Sequence, residues 1–230
     1  MVTNGKKNAQ PAAVLFSAGL DSAVMLAQVA AAGRAHPIYV RAGLAWEAEE
    51  SASAARLLAS PPFAGSVEPI VTLTVDMRDV YPPHHWAVRG EAPGFDTPDE
   101  DVYIDGRNVV LLAKAAVYAA RARLPRMLLG PLSGNPFPDA TPAFFEAMAH
   151  ALSVGLDSPM TIETPLVTMN KADVIRLGAS LDVPFELTLS CMQPRDGLHC
   201  GRCSKCRERR DGFLEAGIAD PTRYAERPLR

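Results

Sequence analysis

Long apolar runs are missing from this sequence, as are an early cysteine, a Gly-Lys-Ser/Thr triplet, any internal repeat or low-complexity tract, and any marked excess of one charge. No stretch nears the ~20 apolar residues that a membrane helix needs, so no span is expected. Residues 1–11 are polar and lack the apolar segment of a secretory leader, and a cytoplasmic protein is expected. The formal net charge is −3. Nothing global calls for nucleic acid or an anionic membrane, and any such binding has to be local. All four cysteines fall between Cys191 and Cys206, whereas cysteines that staple a secreted fold are spread along it. Without Gly-Lys-Ser/Thr there is no Walker-type phosphate loop.

What is present suffices for a core. Hydrophobic residues make up 48% of the 230, which suits one α/β domain with or without a small appendage and excludes a disordered chain. Residues 12–16 are a short apolar run ending at a Ser/Gly turn and read as a buried strand. Residues 20–32 carry Ala, Val, Met and Leu at helical spacing, with Gly33 as a stop. Further strands are expected at 37–40, 67–75, 127–130 and 160–163. Helices are expected at 47–58, 108–123, 142–154 and 170–181.

Thr141 and Pro142 are a cap and a first helical residue. Asn170 caps the last helix, and Gly178 is expected to break it. In the helix at 108–123 the pattern sets Val109, Leu112, Ala113, Ala116, Val117 and Ala120 on one face. Residues 81–106, with Pro82, Pro83, Pro93 and Pro98, lack a period and read as a long loop, functional or mobile. Strands alternating with helices indicate a doubly wound, Rossmann-like parallel sheet covered on both faces, with ligands beyond the carboxyl ends of its strands.

The loop Ser17-Ala18-Gly19-Leu20-Asp21-Ser22 lies between the first strand and the first helix. Small residues let the backbone approach a ligand, and free N–H groups at a helix start attract anions. Asp21 would repel phosphate directly but fits if Mg²⁺ lies between them. A plain capped strand–turn–helix junction explains the same residues equally well.

Cys191-x8-Cys200-x2-Cys203-x2-Cys206 sets four thiols within sixteen residues. That matches a closed, structural Zn²⁺ site; an iron–sulfur cluster, redox thiols and unligated cysteines are the alternatives. Gly201 permits a tight turn, Arg202 and Lys205 would offset thiolate charge, and His199 is read as a neighbour. The basic run Arg202, Lys205, Arg207, Arg209 and Arg210 could touch RNA, but with Glu208 inside it is read as a solvated helix face.

With those residues in view, Phe16-Ser17-Ala18-Gly19-Leu20-Asp21-Ser22 resembles the Ser-Gly-Gly-x-Asp-Ser loop of the ATP pyrophosphatases, with Ala18 in place of the second glycine. The stretch Leu189-Ser190-Cys191…His199-Cys200-Gly201-Arg202-Cys203-Ser204-Lys205-Cys206-Arg207…Arg210-Asp211-Gly212-Phe213 is similar to the ExsB-type 7-cyano-7-deazaguanine synthase family. So are Gly106-Arg107-Asn108, Pro138-Asp139, Glu163-Thr164-Pro165-Leu166 and Lys171-Ala172. The resemblance spans residues 14–224.

It implies an adenine nucleotide alpha hydrolase-like fold with an ATP pyrophosphatase domain at 12–188 and a small C-terminal zinc-binding helical element at 189–224. It implies a C–N ligase of queuosine biosynthesis that adenylates 7-carboxy-7-deazaguanine and uses ammonia to make the nitrile. Asp21, Arg107 and Lys171 would be catalytic. Phe16 to Ser22, with Tyr39, Val40 and Arg41, would hold ATP and Mg²⁺; Asn108 and Asp139 would meet the substrate; the four cysteines would hold Zn²⁺. Family members often form dimers, so a homodimer is carried over as an expectation.

Two departures bear on the substrate. Tyr39-Val40-Arg41-Ala42-Gly43 stands where the family has Tyr-Gly-Gln-x-His, and Pro138-Asp139 lacks the family's following Cys-Arg. A relative adenylating another carboxylate, or a tRNA-modifying adenylating enzyme, is the alternative; a non-enzymatic zinc and nucleotide module is a third.

Overall fold

Alternation along the first strand decides how the sheet is covered. Successive strand side chains point to opposite faces. In β1 (Ala9–Leu15) and the residue after it, Ala12, Val14 and Phe16 enter one apolar cluster while Ala13 and Leu15 enter another. Such a strand must have helices on both sides.

The computed structural model, which describes residues 9–226, has that arrangement. β2 (Gly33–Arg41), β3 (Val71–Thr74), β4 (Arg126–Leu128) and β5 (Thr161–Glu163) join β1 in an all-parallel sheet of order β3-β2-β1-β4-β5. The helices are α1 (Leu20–Ala32), α2 (Glu47–Leu58), α3 (Trp86–Arg89), α4 (Arg107–Arg121), α5 (Pro142–Gly155), α6 (Lys171–Ser180) and α7 (Ser204–Ala216). α1, α2, α6 and α7 contribute to the cluster on one face, and α4 and α5 to the cluster on the other. The chain builds outward from β1 to β3, then returns to lay β4 on the opposite side of β1. The carboxyl ends at that reversal are where such sheets bind ligands.

Several expected elements change in extent or face. β2 runs directly out of α1, with Gly33 extended rather than left-handed. β3 is confined to four residues. On α4 the buried side chains are Leu112, Ala115, Ala116 and Ala119, whereas Val109 and Val117 are exposed. The face expected from sequence is thus rotated, because alanine occupies both sides of the helix and gives the pattern little contrast. Residues 81–106 are not featureless. α3 and a 3₁₀ turn at Asp99–Val102 lie within them, Tyr81 Oη donates to the Asp105 carbonyl at 2.7 Å, and Trp86 stacks on Trp46 with ring centroids 5.7 Å apart. No helix among the described residues is long and apolar enough to cross a membrane.

Gly178 does not break α6. A Cβ there would lie 2.6 Å from Phe185 Cζ and 2.6 Å from Val24 Cγ2, so the glycine serves close packing against α1. Gly178→Ala is expected to destabilise the protein by about 1–3 kcal/mol through overpacking, which outweighs the ~1 kcal/mol alanine gains in helix propensity. A urea midpoint at or above that of the parent would mean the contact relaxes freely.

Candidate functional site

The turn leaving β1 is tied by its own serines. Ser22 Oγ donates to the Gly19 carbonyl at 2.9 Å and accepts from the Ser17 N–H at 3.4 Å; the Gly19 N–H donates to Ser17 Oγ at 3.3 Å. Gly19 caps α1 without a side-chain bond, which leaves first-turn N–H groups available to an anion. Ala18 is fully buried with φ +61°, the region where a side chain costs ~1–2 kcal/mol and glycine costs nothing. Its carbonyl accepts the Leu189 N–H at 2.8 Å, binding the turn to the segment ahead of the cysteines.

A knot of charge lies beside the turn. Lys171, the first residue of α6, donates to both carboxylate oxygens of Asp21 at 2.8 and 2.6 Å and pairs with Glu208 of α7 at 2.8 Å. Lys205 holds the other Glu208 oxygen at 2.6 Å. Burial alone would lower the Lys171 ammonium, but Asp21 and then Glu208 more than reverse it, holding its pKa above the usual lysine value. Burial likewise pushes Glu208 up, yet Lys171 and Lys205 prevail and hold its carboxyl well below the usual range. Gly212 leaves room for this, since a Cβ there would collide with the Lys171 stem.

Two cavities meet at the turn. The first, about 280 Å³, is walled by Phe16, Ser17, Gly19, Asp21 and Ser22, by Ile38, Tyr39 and Val40 from β2, by residues 129–131 after β4, and by Tyr103 and Phe137, whose rings stack 5.2 Å apart. The second, about 190 Å³, lies towards the cysteines and is walled by Leu20, Trp46, Glu50, Lys171, Ser190, Met192, Glu208 and Arg209. Ser17, Gly19, Asp21 and Arg107 line both. Arg107 opens α4 after left-handed Gly106, and its Nε is buried without a hydrogen-bond partner.

The structure thus brings together Phe16, Ser17, Gly19, Leu20, Asp21, Ser22, Tyr39, Val40, Arg107 and Lys171. It leaves Arg41 outside: that side chain, on the last residue of β2, is exposed and donates to Ser51 Oγ at 3.2 Å. Asn108 and Asp139 line the first cavity but are spent on each other. The Asn108 N–H donates to the Asp139 carboxylate and its amide to the Asp139 carbonyl, both at 2.9 Å. Burial raises the Asp139 pKa, partly offset by the Asn108 N–H.

The sequence reading missed Glu50. It lies on the buried face of α2 with Ser53, Ala54 and Leu57. Burial chiefly, against Arg107 and the Tyr39 hydroxyl bonded to it at 2.6 Å, raises its pKa to about 7. Burial and the Glu50 charge push the Tyr39 phenol far above its ordinary value. The signal in sequence was position: Glu50 falls in register with Ala54 and Leu57, but Glu47 and Glu49 beside it mask the pattern.

Cys191, Cys200, Cys203 and Cys206 are buried and unpaired in disulfides, and their sulfurs all lie within 4.8 Å of one another. The Sγ–Sγ separations of 3.5 and 3.9 Å bracket the ~3.8 Å edge of a tetrahedral zinc–thiolate site. The cluster can hold a metal ion. Charge at the sulfurs is met by backbone N–H groups rather than by the expected cations: Gln193 and Cys200 donate to Cys191 Sγ, and Arg202 to Cys200 Sγ, at 3.2–3.3 Å. Arg202 pairs instead with Glu226, and Lys205 with Glu208. His199 is a neighbour, as expected; its Nε2 accepts the Ser190 N–H at 3.1 Å.

The basic helix is no solvated face. Arg209 is 1% exposed and donates to Thr188, Ser190, Thr222 and the Phe185 carbonyl. Arg207 holds the Phe95 carbonyl at 2.7 Å, and Arg210 lies over the Phe95 ring. Helical spacing could not reveal this, because the groups that bury α7 come from residues 93–99 and 185–190.

A family model described as queuosine biosynthesis protein QueC matches residues 11–217. A 7-cyano-7-deazaguanine synthase from Anaeromyxobacter dehalogenans is 36% identical over 95% of this chain and 97% of its own length. Another from Thiobacillus denitrificans is 37% identical over 93% and 98%. Among solved structures, a predicted subunit of a tRNA methyltransferase from Methanocaldococcus jannaschii aligns with a TM-score of 0.49 at 16% identity, over 95% of this chain and 93% of that one.

Cys203→Ser is expected to lower the melting temperature and loosen residues 189–224; an unchanged profile would argue against a structural metal. The ion pairs of Glu208 predict a pH signature. Its folded pKa is depressed, so its contribution is complete above the unfolded value of ~4.3 and is lost as pH falls through the folded value. The stability deficit of Glu208→Gln is therefore expected to be widest near neutral pH and to narrow on acidification. A deficit independent of pH would remove the ion pairs as its cause.

Proposed function

Because the chain belongs to the QueC family of queuosine biosynthesis proteins, we propose that it is an ATP-dependent C–N ligase converting 7-carboxy-7-deazaguanine and ammonia to 7-cyano-7-deazaguanine. The observation that carries this reading is the common wall of the two cavities. Ser17, Gly19, Asp21 and Arg107 face both, so a nucleotide in one and a carboxylate in the other would meet at the phosphate turn.

In this reading residues 12–188 are the ATP pyrophosphatase unit and residues 189–224 the metal-bearing element. The α- and β-phosphates rest on the turn from Phe16 to Ser22, with Tyr39 and Val40 beside the nucleoside. A carboxylate oxygen of the substrate attacks the α-phosphorus. The new P–O bond replaces the bond to the β-phosphate, and pyrophosphate leaves. A free carboxylate is a poor electrophile, and this supplies it with a leaving group.

Ammonia displaces AMP from the acyl carbon to give the amide. A second ATP activates the amide oxygen, and loss of AMP and two protons leaves the nitrile. Arg107, with an unpartnered Nε, stabilises charge that develops at the phosphorus, and Lys171 fixes Asp21, as preorganised electrostatics. Asn108 and Asp139 hold the start of α4 and hence Arg107.

Mg²⁺ bound beside Asp21 would screen the phosphate charge; that carboxylate borders both cavities, which fits the role. Zn²⁺ on the four cysteines would be structural, as a closed thiolate set leaves no open position. The reading includes a cytoplasmic protein. The basic residues of α7 are engaged internally, which favours a small-molecule substrate over RNA.

The test is incubation with 7-carboxy-7-deazaguanine, ATP, Mg²⁺ and ammonia, followed by mass spectrometry. Nitrile and AMP are expected, and Asp21→Ala is expected to abolish turnover with the fold retained. AMP without amide or nitrile would reject the substrate. A fully active Asp21→Ala would remove Asp21 from the mechanism.

A further inference from the structure

We propose that Glu50 is the proton acceptor for the nitrogen that enters the product, acting from the wall of the second cavity beside the shared phosphate turn. The inference rests on the function proposed above and assigns a group that reaction requires.

The geometry singles out this carboxylate. Glu50 is 7% exposed yet borders the second cavity, across which lie Arg107 and Lys171. Its Oε2 accepts the Tyr39 hydroxyl at 2.6 Å. Tyr39 walls the first cavity, so this hydrogen bond links the linings of the two cavities. The other carboxylates at the turn are committed. Asp21 and Glu208 are held by Lys171, and Asp139 is held by Asn108. Among the described residues Glu50 forms no ion pair, and the nearby Arg107 charge does not outweigh its burial. Burial places its proton affinity near neutrality, where a carboxyl can both take and release a proton.

The chemistry needs such a group three times. When ammonia adds, the C–N bond forms and the C–O bond to AMP breaks, its electron pair leaving on the phosphate oxygen. The nitrogen then carries one proton too many, which passes to Glu50. After a second ATP has adenylated the amide oxygen with loss of pyrophosphate, the two remaining N–H protons depart in turn. Adenylation draws the nitrogen lone pair into the second C–N bond; the first N–H pair restores that lone pair, and the second becomes the third C–N bond as AMP leaves with the oxygen. Between steps Glu50 returns each proton to solvent through the cavity mouth. Dehydration of the amide is the half that leans on the base most, because two of the three protons leave there.

The test supplies parent, Glu50→Gln and Glu50→Asp proteins with Mg²⁺, ATP and either the carboxylate with ammonia or the corresponding amide. Glu50→Gln is expected to keep carboxylate-dependent pyrophosphate release, to accumulate amide, and to lose nitrile formation from amide by ~100-fold or more. Glu50→Asp is expected to recover part of it. Nitrile formation by Glu50→Gln within tenfold of the parent overturns the assignment. So does a parallel loss of pyrophosphate release in a folded variant, which makes Glu50 a support of the ATP site instead. Should Glu50→Gln fail to fold, Glu50→Asp carries the test, and a nitrile-to-amide ratio equal to the parent's overturns it. A parent protein that makes no nitrile from either substrate fails the proposed function itself, a result distinct from any variant effect.

Discussion

One ammonium group holds the site together. Lys171 lies between Asp21 of the phosphate turn and Glu208 of the cysteine-bearing element, and it is largely buried while doing so. A lone charge there would be costly, and two carboxylates without it would repel. Each of the three groups therefore requires the others. Because they come from α1, α6 and α7, the knot sets how those helices sit. α6 packs on α1 through Gly178 and on α7 through Gly212, and at both a Cβ would collide with the facing helix.

The C-terminal element is more than an attachment for a metal. Leu189 ties it to the phosphate turn, Ser190 to His199, and Arg209 gathers Thr188, Ser190 and Phe185. A guanidinium this buried survives because it donates to four groups. The cysteine cluster thus braces the segment that forms one wall of the second cavity, a wall to which Cys191 itself belongs. On the opposite flank residues 81–106 close over the first cavity through Val102, Tyr103 and Ile104, so the long loop has a structural task as well as an open edge.

The sequence made the sheet and the turn legible because their signals are local. An apolar run, small residues and a helix start lie within a dozen positions, and α1 and α2 fall on the expected residues. The four thiols were legible for the same reason. Less visible was everything decided by a distant partner. The buried face of α4 could not be read through its alanines. Gly178 looked like a breaker because Phe185 and Val24 are remote in sequence. The arginines of α7 looked solvated because the groups that receive Arg209 lie at Phe185, Thr188 and Ser190 before the helix and at Thr222 after it, on segments with no periodic pattern. Arg41 followed two cavity residues in sequence and so resembled them, but it ends β2 and reaches Ser51 of α2 instead. Glu50 was hidden among glutamates that do face water.

Ala18 gives the fold a chronology. Its left-handed backbone is disfavoured in isolation, and the carbonyl that this conformation presents finds its partner only at Leu189. During synthesis residue 18 leaves the ribosome long before residue 189 exists. The first strand and helix can form early from local interactions, but the Ala18 carbonyl gains this partner only when the last fifth of the chain arrives. A chain truncated before Leu189 would carry every residue of this turn without the contact that ties it to the C-terminal segment.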